Sequence, residues 1–385
     1  MFTAEEFSIL CSEEVTAAIR ENIDRKPTDI ALDRRIPHAA VVATQVKNLQ
    51  KCRTKLPSYY AVQAIVPTLA YEQSSSEDCA LRKRLEGDSV LDLTCGLGVD
   101  AFALSKRFRR VVTIERNEMV AEVARENFRR LGADNIEVVC SSAEEYLATC
   151  TDHFDWCFSD PDRRGVKGEK LVCLEDCSPN VLALMATLRR IADRICVKCS
   201  PLFDVDEAMR LFGDCTVETV SLSGEAKEVN IYIDGSSPRF TAVAIGLGEF
   251  SCSAEERHSV SWSPQPTSLE HYRYITLPNV VLQHSRMVAV AFQGKSDVWS
   301  NNGIALSEEL PNEPLGRSFA IEAIYDIDSA FKRVMRGRKV ELYRRDFPMS
   351  NSDICKRYRC SEGGSELWCF TRIGTRLLAI KMIKI

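Results

Sequence analysis

An apolar run that breaks into glycines and resumes at once with helical spacing constrains this chain more than any other feature. Residues Ser89-Val90-Leu91-Asp92-Leu93-Thr94-Cys95-Gly96-Leu97-Gly98-Val99-Asp100 read as a strand, a glycine turn and the start of a helix. Glycines at 96 and 98 remove Cβ atoms where a ligand would meet bare backbone. A second apolar run, Arg110-Val111-Val112-Thr113-Ile114-Glu115, closes about 20 residues further on with a carboxylate that can accept both hydroxyls of a ribose. Together these segments describe an open α/β pocket for a nucleoside. The third glycine of dinucleotide sites is missing. A nicotinamide-type pocket and a turn that binds nothing are the alternatives.

At 385 residues the chain exceeds one ordinary domain, and about two to four units with sizeable cores are expected. No run of about eighteen apolar residues occurs, and the start, Met1-Phe2-Thr3-Ala4-Glu5-Glu6-Phe7, is acidic where an export signal is basic and then apolar. A cytoplasmic protein with no membrane insertion is therefore expected. The 16 cysteines are scattered through apolar segments, the pattern of buried, reduced thiols. Cys196 and Cys199 form a C-x-x-C pair inside a probable strand, where residues three apart face opposite sides, so no metal site is expected. The net charge of −5 is uneven: residues 313–385 hold 15 Lys+Arg against 9 Asp+Glu, or +6, and the remainder 35 against 46, or −11. The last segment is a candidate landing surface for a polyanion, or else a solvated basic face.

Helical spacing in residues 1–75, as in Phe7-Leu10-Cys11 and Val15-Ala18-Ile19, predicts an N-terminal helical region. Residues 76–250 alternate β-branched runs with amphipathic stretches. Strands are expected near 90–93, 111–115, 136–140, 154–159 and 195–199, and helices near 99–106, 117–131 and 180–192. Such alternation builds an α/β fold, a mostly parallel sheet covered on both faces. Runs at 217–222, 229–234 and 240–245 follow with short turns and are expected to close the sheet as antiparallel strands. Residues 248–266, rich in Ser, Glu and Pro, read as a linker. Two small α+β units are expected after the sheet, one in 251–312 with its linker and one in 313–385.

Ligands of open α/β sheets bind beyond the carboxyl ends of the strands. There, Asp92-x-x-x-Gly96-x-Gly98 resembles motif I of class I methyltransferases that use S-adenosyl-L-methionine (SAM). The resemblance implies a Rossmann-like sheet and places Asp92, Thr94, Cys95, Gly96 and Gly98 against the amino-acid part of SAM, with Glu115 and its neighbour Arg116 at the ribose. After the third strand Ser141-Ser142-Ala143 stands where Gly-Asp-Ala is common, so Ser142 and Ala143 face the adenine without a charge. Gln73 and Ser75 either fold over the methionine carboxylate as donors or belong to a flexible linker. The fourth strand ends in Asp160-Pro161-Asp162-Arg163-Arg164-Gly165, the position of motif IV. A proline turn there would fix Asp160 and the Pro161 carbonyl where acceptors orient a substrate proton, which makes Asp160, Pro161, Asp162 and Arg163 the catalytic candidates. Amino-directed enzymes carry an aromatic residue where this chain has Arg163, and Arg163 with Arg164 could instead hold a phosphate. The tetrad is closer to the Asp-Pro-Pro-Arg of RNA uridine C5 methyltransferases, which need a cysteine nucleophile. Cys199 is either that nucleophile or a buried strand thiol.

Further segments widen the resemblance to nearly the whole chain: Lys55-Leu56-Pro57-Ser58, Glu72–Glu77, Cys177-Ser178-Pro179, Lys198-Cys199-Ser200-Pro201 and Gly224–Glu228. With motifs I and IV they resemble bacterial class I SAM methyltransferases that carry a THUMP-like carboxyl-terminal domain. That resemblance implies a ferredoxin-like unit in 251–312, a THUMP-like unit in 313–385 and an RNA substrate, structured transfer or ribosomal RNA, with no DNA partner. Lys332, Arg333, Arg336, Arg338, Lys339, Arg344 and Arg345, interleaved with Phe331 and Tyr343, suit a phosphate-tracking surface. Methylation of a protein or small molecule, and RNA binding without catalysis, are the competing functions. No residue pattern specifies an oligomeric state.

Overall fold

The computed structural model describes residues 2–162, 174–313 and 315–385. The chain forms two compact units. The first takes in Met1–Asp204 with two returns, Arg210–Gly213 and Asn230–Gly235; the second holds Val205–Met209, Asp214–Val229 and Ser236–Ile385.

In the first unit, β1 (Gly87–Asp92), β2 (Phe108–Glu115), β3 (Ile136–Cys140), β4 (Phe154–Ser159) and β5 (Ala192–Cys199) lie in the order β3-β2-β1-β4-β5, and every neighbouring pair is parallel. Val90, Leu91, Val111 and Cys157 have no exposed surface, because helices cover both faces of a parallel sheet. This is the Rossmann-like arrangement expected from the sequence. The helical region is also present, as seven helices between Ala4 and Arg82. Val42, Val46 and Leu49 of its long helix Ala39–Lys55 share one apolar core with Val90, Val111 and Phe128.

Buried amides add direction to that packing. Asn127, fully buried in the helix Glu118–Leu131, accepts from the Ile65 N–H at 2.7 Å and donates to the Ile65 carbonyl at 2.8 Å. Gln45 makes the same kind of double contact with Ala64 and Val66. A backbone segment with no ladder of its own thus has its polar groups satisfied by side chains of the two helices it crosses.

In the second unit, β6 (Thr216–Leu222) pairs parallel with β8 (Arg239–Ala244), and β8 pairs antiparallel with β9 (Gly248–Ser253). The expected all-antiparallel closure is corrected here: the chain runs through β7 (Glu225–Ile233) before β8, so β8 can return in the direction of β6. The stretch read as a linker carries β9 and a helix, Ala254–Ser259, whose Ser253 and Glu256 cap each other's backbone. A second sheet holds β10 (Tyr274–Pro278), β11 (Asp297–Val298), β12 (Ala305–Ser307), β13 (Gly316–Asp326), β14 (Lys339–Arg344), β15 (Ser361–Glu362), β16 (Glu366–Ile373) and β17 (Arg376–Ile383). Their order is β11-β12-β10-β13-β17-β16-β14-β15, so strands from 251–312 and from 313–385 are neighbours in one sheet. Phe331, Tyr358, Trp368 and Phe370 pack two helices, Phe331–Met335 and Asn351–Tyr358, onto it.

Gly98 opens the helix Val99–Ser105 with a φ of 86°, and a Cβ there would stand 2.4 Å from Phe128 Cζ. Both facts require glycine for packing. Gly98→Ala is expected to cost about 2–5 kcal/mol, combining left-handed strain with overpacking, read as a lower denaturant midpoint.

Candidate active site

The ends of β1, β2 and β4 face a cavity of about 1250 Å³ in the first unit. Gly96 gives it a bare edge: its φ is 54°, and a Cβ built on it would meet nothing within 4 Å. Glu115, closing β2, accepts from the Gly96 N–H at 2.9 Å and from the Asn117 N–H at 2.9 Å, so its carboxylate is fixed beside that edge. Across the site the Asp160 N–H donates to Thr94 Oγ1 at 2.7 Å, and Asp160 Oδ2 accepts from Lys198 Nζ at 2.6 Å.

Twelve of the residues expected from the sequence line this one cavity: Gln73, Ser75, Thr94, Cys95, Gly96, Glu115, Arg116, Ser142, Ala143, Asp160, Pro161 and Asp162. Arg163, with Arg164 and Gly165, lies outside the described residues. Asp92 and Gly98 stand behind the lining. Asp92 is fully buried; its Oδ1 accepts from the Thr94 N–H at 2.9 Å and its Oδ2 from Thr113 Oγ1 at 2.7 Å, so its carboxylate shapes the turn. Ser142 spends its hydroxyl on the Glu145 N–H, capping the helix Ala143–Thr149. Ser75 is buried, donating to Asp100 Oδ2 at 2.6 Å and accepting from Lys198 at 2.7 Å. Arg116 reaches Ser178 Oγ at 3.1 Å and Asp162 Oδ2 at 3.7 Å across the exposed edge. Cys199 is 1% exposed and outside the lining, whereas Ser200 and Pro201 belong to it.

Two features escaped the sequence reading. The helical region walls the cavity with Phe2, Leu10, Val41, Thr44 and Leu69, a role that helical spacing alone does not distinguish from ordinary core. Lys83, Asp100 and Lys198 join Ser75 and Asp160 in a buried chain of opposite charges. Burial works against the Asp100 carboxylate, yet Lys83 and Lys198 prevail and hold its pKa down at about 2. Burial first, and then the neighbouring carboxylates of Asp92 and Glu115, drive the Cys95 thiol well above its usual range, so it is an uncharged wall.

The residues present fit a nucleoside cofactor. Gly96 leaves room for close backbone approach, Glu115 offers an oriented carboxylate, and Met119, Val120 and Ala143 add apolar surface next to it. Among the described residues no group of three or more His, Cys, Asp or Glu could hold a metal ion.

Comparison with known proteins bears on the same segments. Residues 85–237 match the family described as a methyltransferase domain, and residues 316–381 match the family described as THUMP domain-like. A crystal structure from Porphyromonas gingivalis W83, provisionally named a methyltransferase, superposes with a TM-score of 0.84 and 26% identity over 100% of this chain and 99% of that one. Ribosomal RNA small subunit methyltransferase J of Coxiella burnetii (strain RSA 331 / Henzerling II) is 32% identical over 127 residues, 29% of this chain and 49% of that protein. The 23S rRNA (uracil(1939)-C(5))-methyltransferase of Alkalilimnicola ehrlichii is 34% identical over 111 residues, 25% of this chain and 24% of that protein. The chain thus spans about half the length of the first of these curated relatives and a quarter of the second.

Burial lifts the Asp92 carboxyl from an ordinary 3.8 to about 7, against the hydrogen bonds from Thr113 and Thr94 that lower it. A folded-state value above the unfolded one means that the folded chain keeps a proton the unfolded chain releases. The resulting stability is full below about pH 3.8 and is lost as the pH rises through about 7. Asp92→Asn is expected to abolish that slope. Denaturant midpoints of wild type and variant should diverge across this window and run parallel above it.

Proposed function

Because residues 85–237 are a class I SAM-dependent methyltransferase domain and residues 316–381 are THUMP-like, we propose that this protein transfers a methyl group from SAM to a base of structured transfer or ribosomal RNA. The observation that carries the reading is one cavity holding both an oriented nucleoside acceptor, Glu115 beside Gly96, and an oriented proton acceptor, Asp160. Bound SAM supplies an electrophilic methyl group. In this reading Glu115 accepts the ribose hydroxyls, the Gly96 edge admits the amino-acid part, and Met119, Val120 and Ala143 pack on the adenine. Asp160, held by Thr94 and Lys198, accepts a hydrogen bond from the methyl acceptor and aligns it, with Pro161 stiffening the turn. The buried position of Cys199 favours the thiol reading over a nucleophile.

RNA is supported by the ribosomal substrates named for the relatives and by the charge of the last segment. Of its cations, Arg338, Arg372, Arg376 and Lys381 lie in ion pairs with Glu366, Asp346, Asp326 and Glu322. Lys332, Arg333, Arg336, Lys356, Arg357 and Arg359 are exposed on or just beyond the two helices that pack on the second sheet. We assign phosphate contacts to these six and treat 313–385 as the RNA-presenting segment. A cytoplasmic setting belongs to the same proposal. It is supported by the fifteen cysteines among the described residues, none of which forms a disulfide. Among the described residues no helix is long and apolar enough to cross a membrane.

The test is methyl transfer from labelled SAM to total RNA of cells lacking the protein, followed by nucleoside analysis. A labelled nucleoside is expected, and label confined to protein or small molecules would overturn the RNA assignment. Glu115→Ala is expected to weaken SAM binding by about 1.5–3 kcal/mol in calorimetry, the worth of charge-assisted hydrogen bonds. Replacing Lys332, Arg333 and Arg336 by alanine should leave SAM binding intact. The plot of log affinity for RNA against log salt should become shallower by about 0.7–0.9 for each phosphate that the variant no longer neutralises.

A further inference from the structure

Lys198, one residue before the end of β5, has only 5% of its surface exposed, although it carries an ammonium group. Its Nζ lies 2.6 Å from Asp160 Oδ2, 2.7 Å from Ser75 Oγ and 3.9 Å from Asp100 Oδ2. Ser75 bonds Asp100 in turn, and Asp100 Oδ1 pairs at 2.6 Å with Lys83, itself 1% exposed. Burying a charge is unfavourable unless it is paired, and a well-packed apolar side chain of similar length would fill such a place without desolvation. Stability alone therefore does not account for this buried pair. Here one partner, Asp160, faces the cavity in which the proposed cofactor carries a positive sulfonium.

We propose that Lys198 is a positioning residue that sets the charge the sulfonium meets. Resting on the SAM reading above, it holds the Asp160 carboxylate and offsets it, so that Asp160 stays directed at the methyl acceptor and does not close on the sulfonium. Two consequences follow from charge alone. SAM, which is cationic at sulfur, gains less over its uncharged product S-adenosylhomocysteine than a bare carboxylate would give it. Removing the ammonium makes the site more negative, by up to one unit, and removing the Asp160 charge does the reverse.

The experiment is calorimetry of both ligands on the full-length protein at neutral pH, with melting curves to verify folding. The quantity read is the preference for SAM over S-adenosylhomocysteine. Lys198→Met is expected to raise it by about tenfold or more, since one adjacent opposite charge shifts such equilibria by a power of ten or greater. Lys198→Arg should restore the wild-type preference, Asp160→Asn should lower it, and the double variant Lys198→Met/Asp160→Asn should return it toward wild type. If Lys198→Met alone does not fold, the same rise is read between Asp160→Asn and the double variant, in which this pair leaves no charge behind. Wild-type binding of both ligands with an unchanged preference in the folded variants would overturn the role of Lys198. Failure of wild type to bind either ligand would overturn the SAM reading itself, and this proposal with it.

Discussion

Everything at the mouth of the cavity hangs on one buried carboxylate. Asp92 grips the Thr94 N–H and the Thr113 hydroxyl, and Thr94 in turn accepts from the Asp160 N–H. One side chain thereby ties the ends of β1 and β2 together and, through a threonine, sets where β4 releases the chain. Glu115 adds a second tie, from the end of β2 to the glycine edge. The residues that would touch a ligand are placed by residues that do not, which is how a site on loops keeps a fixed geometry.

The helical region extends this logic to the opposite wall. Its apolar residues could have packed against any sheet, but Asn127 and Gln45 demand particular backbone partners at Ile65 and at Ala64 and Val66. Buried amides tolerate few alternative arrangements, because each misplacement leaves polar groups unsatisfied at about 1–3 kcal/mol apiece. The helices are thereby held in one pose, and the cavity inherits its shape from that pose.

Much of this was legible in the residues, for identifiable reasons. The parallel strands announce themselves as apolar runs, since both faces are covered, and the glycine turn with Glu115 located the cavity. The helices Ala143–Thr149 and Ala254–Ser259 were missed although Ser142 with Glu145 and Ser253 with Glu256 spell the capping pattern of a helix start. What could not be read is which acidic residue braces the turn and which one faces the cavity. Asp92 and Glu115 both end strands, yet one is enclosed between two strands and the other turned to the cavity. Likewise Ser75 and Lys198 stand 123 positions apart, and only the fold makes them partners.

The second sheet carries a consequence for anyone who would divide the protein. β10 and β13 exchange a ladder from Tyr274 to Pro278, so a cut near residue 312 would separate strands that are hydrogen-bonded neighbours. Each fragment would then present an open strand edge, with the almost wholly buried Ile275 on one and Phe319 on the other newly in water. Unpaired edges of that kind recruit other chains, and the fragments would be more prone to aggregate than to stand alone. The carboxyl-terminal segment is thus a recognisable sequence module without being a detachable one.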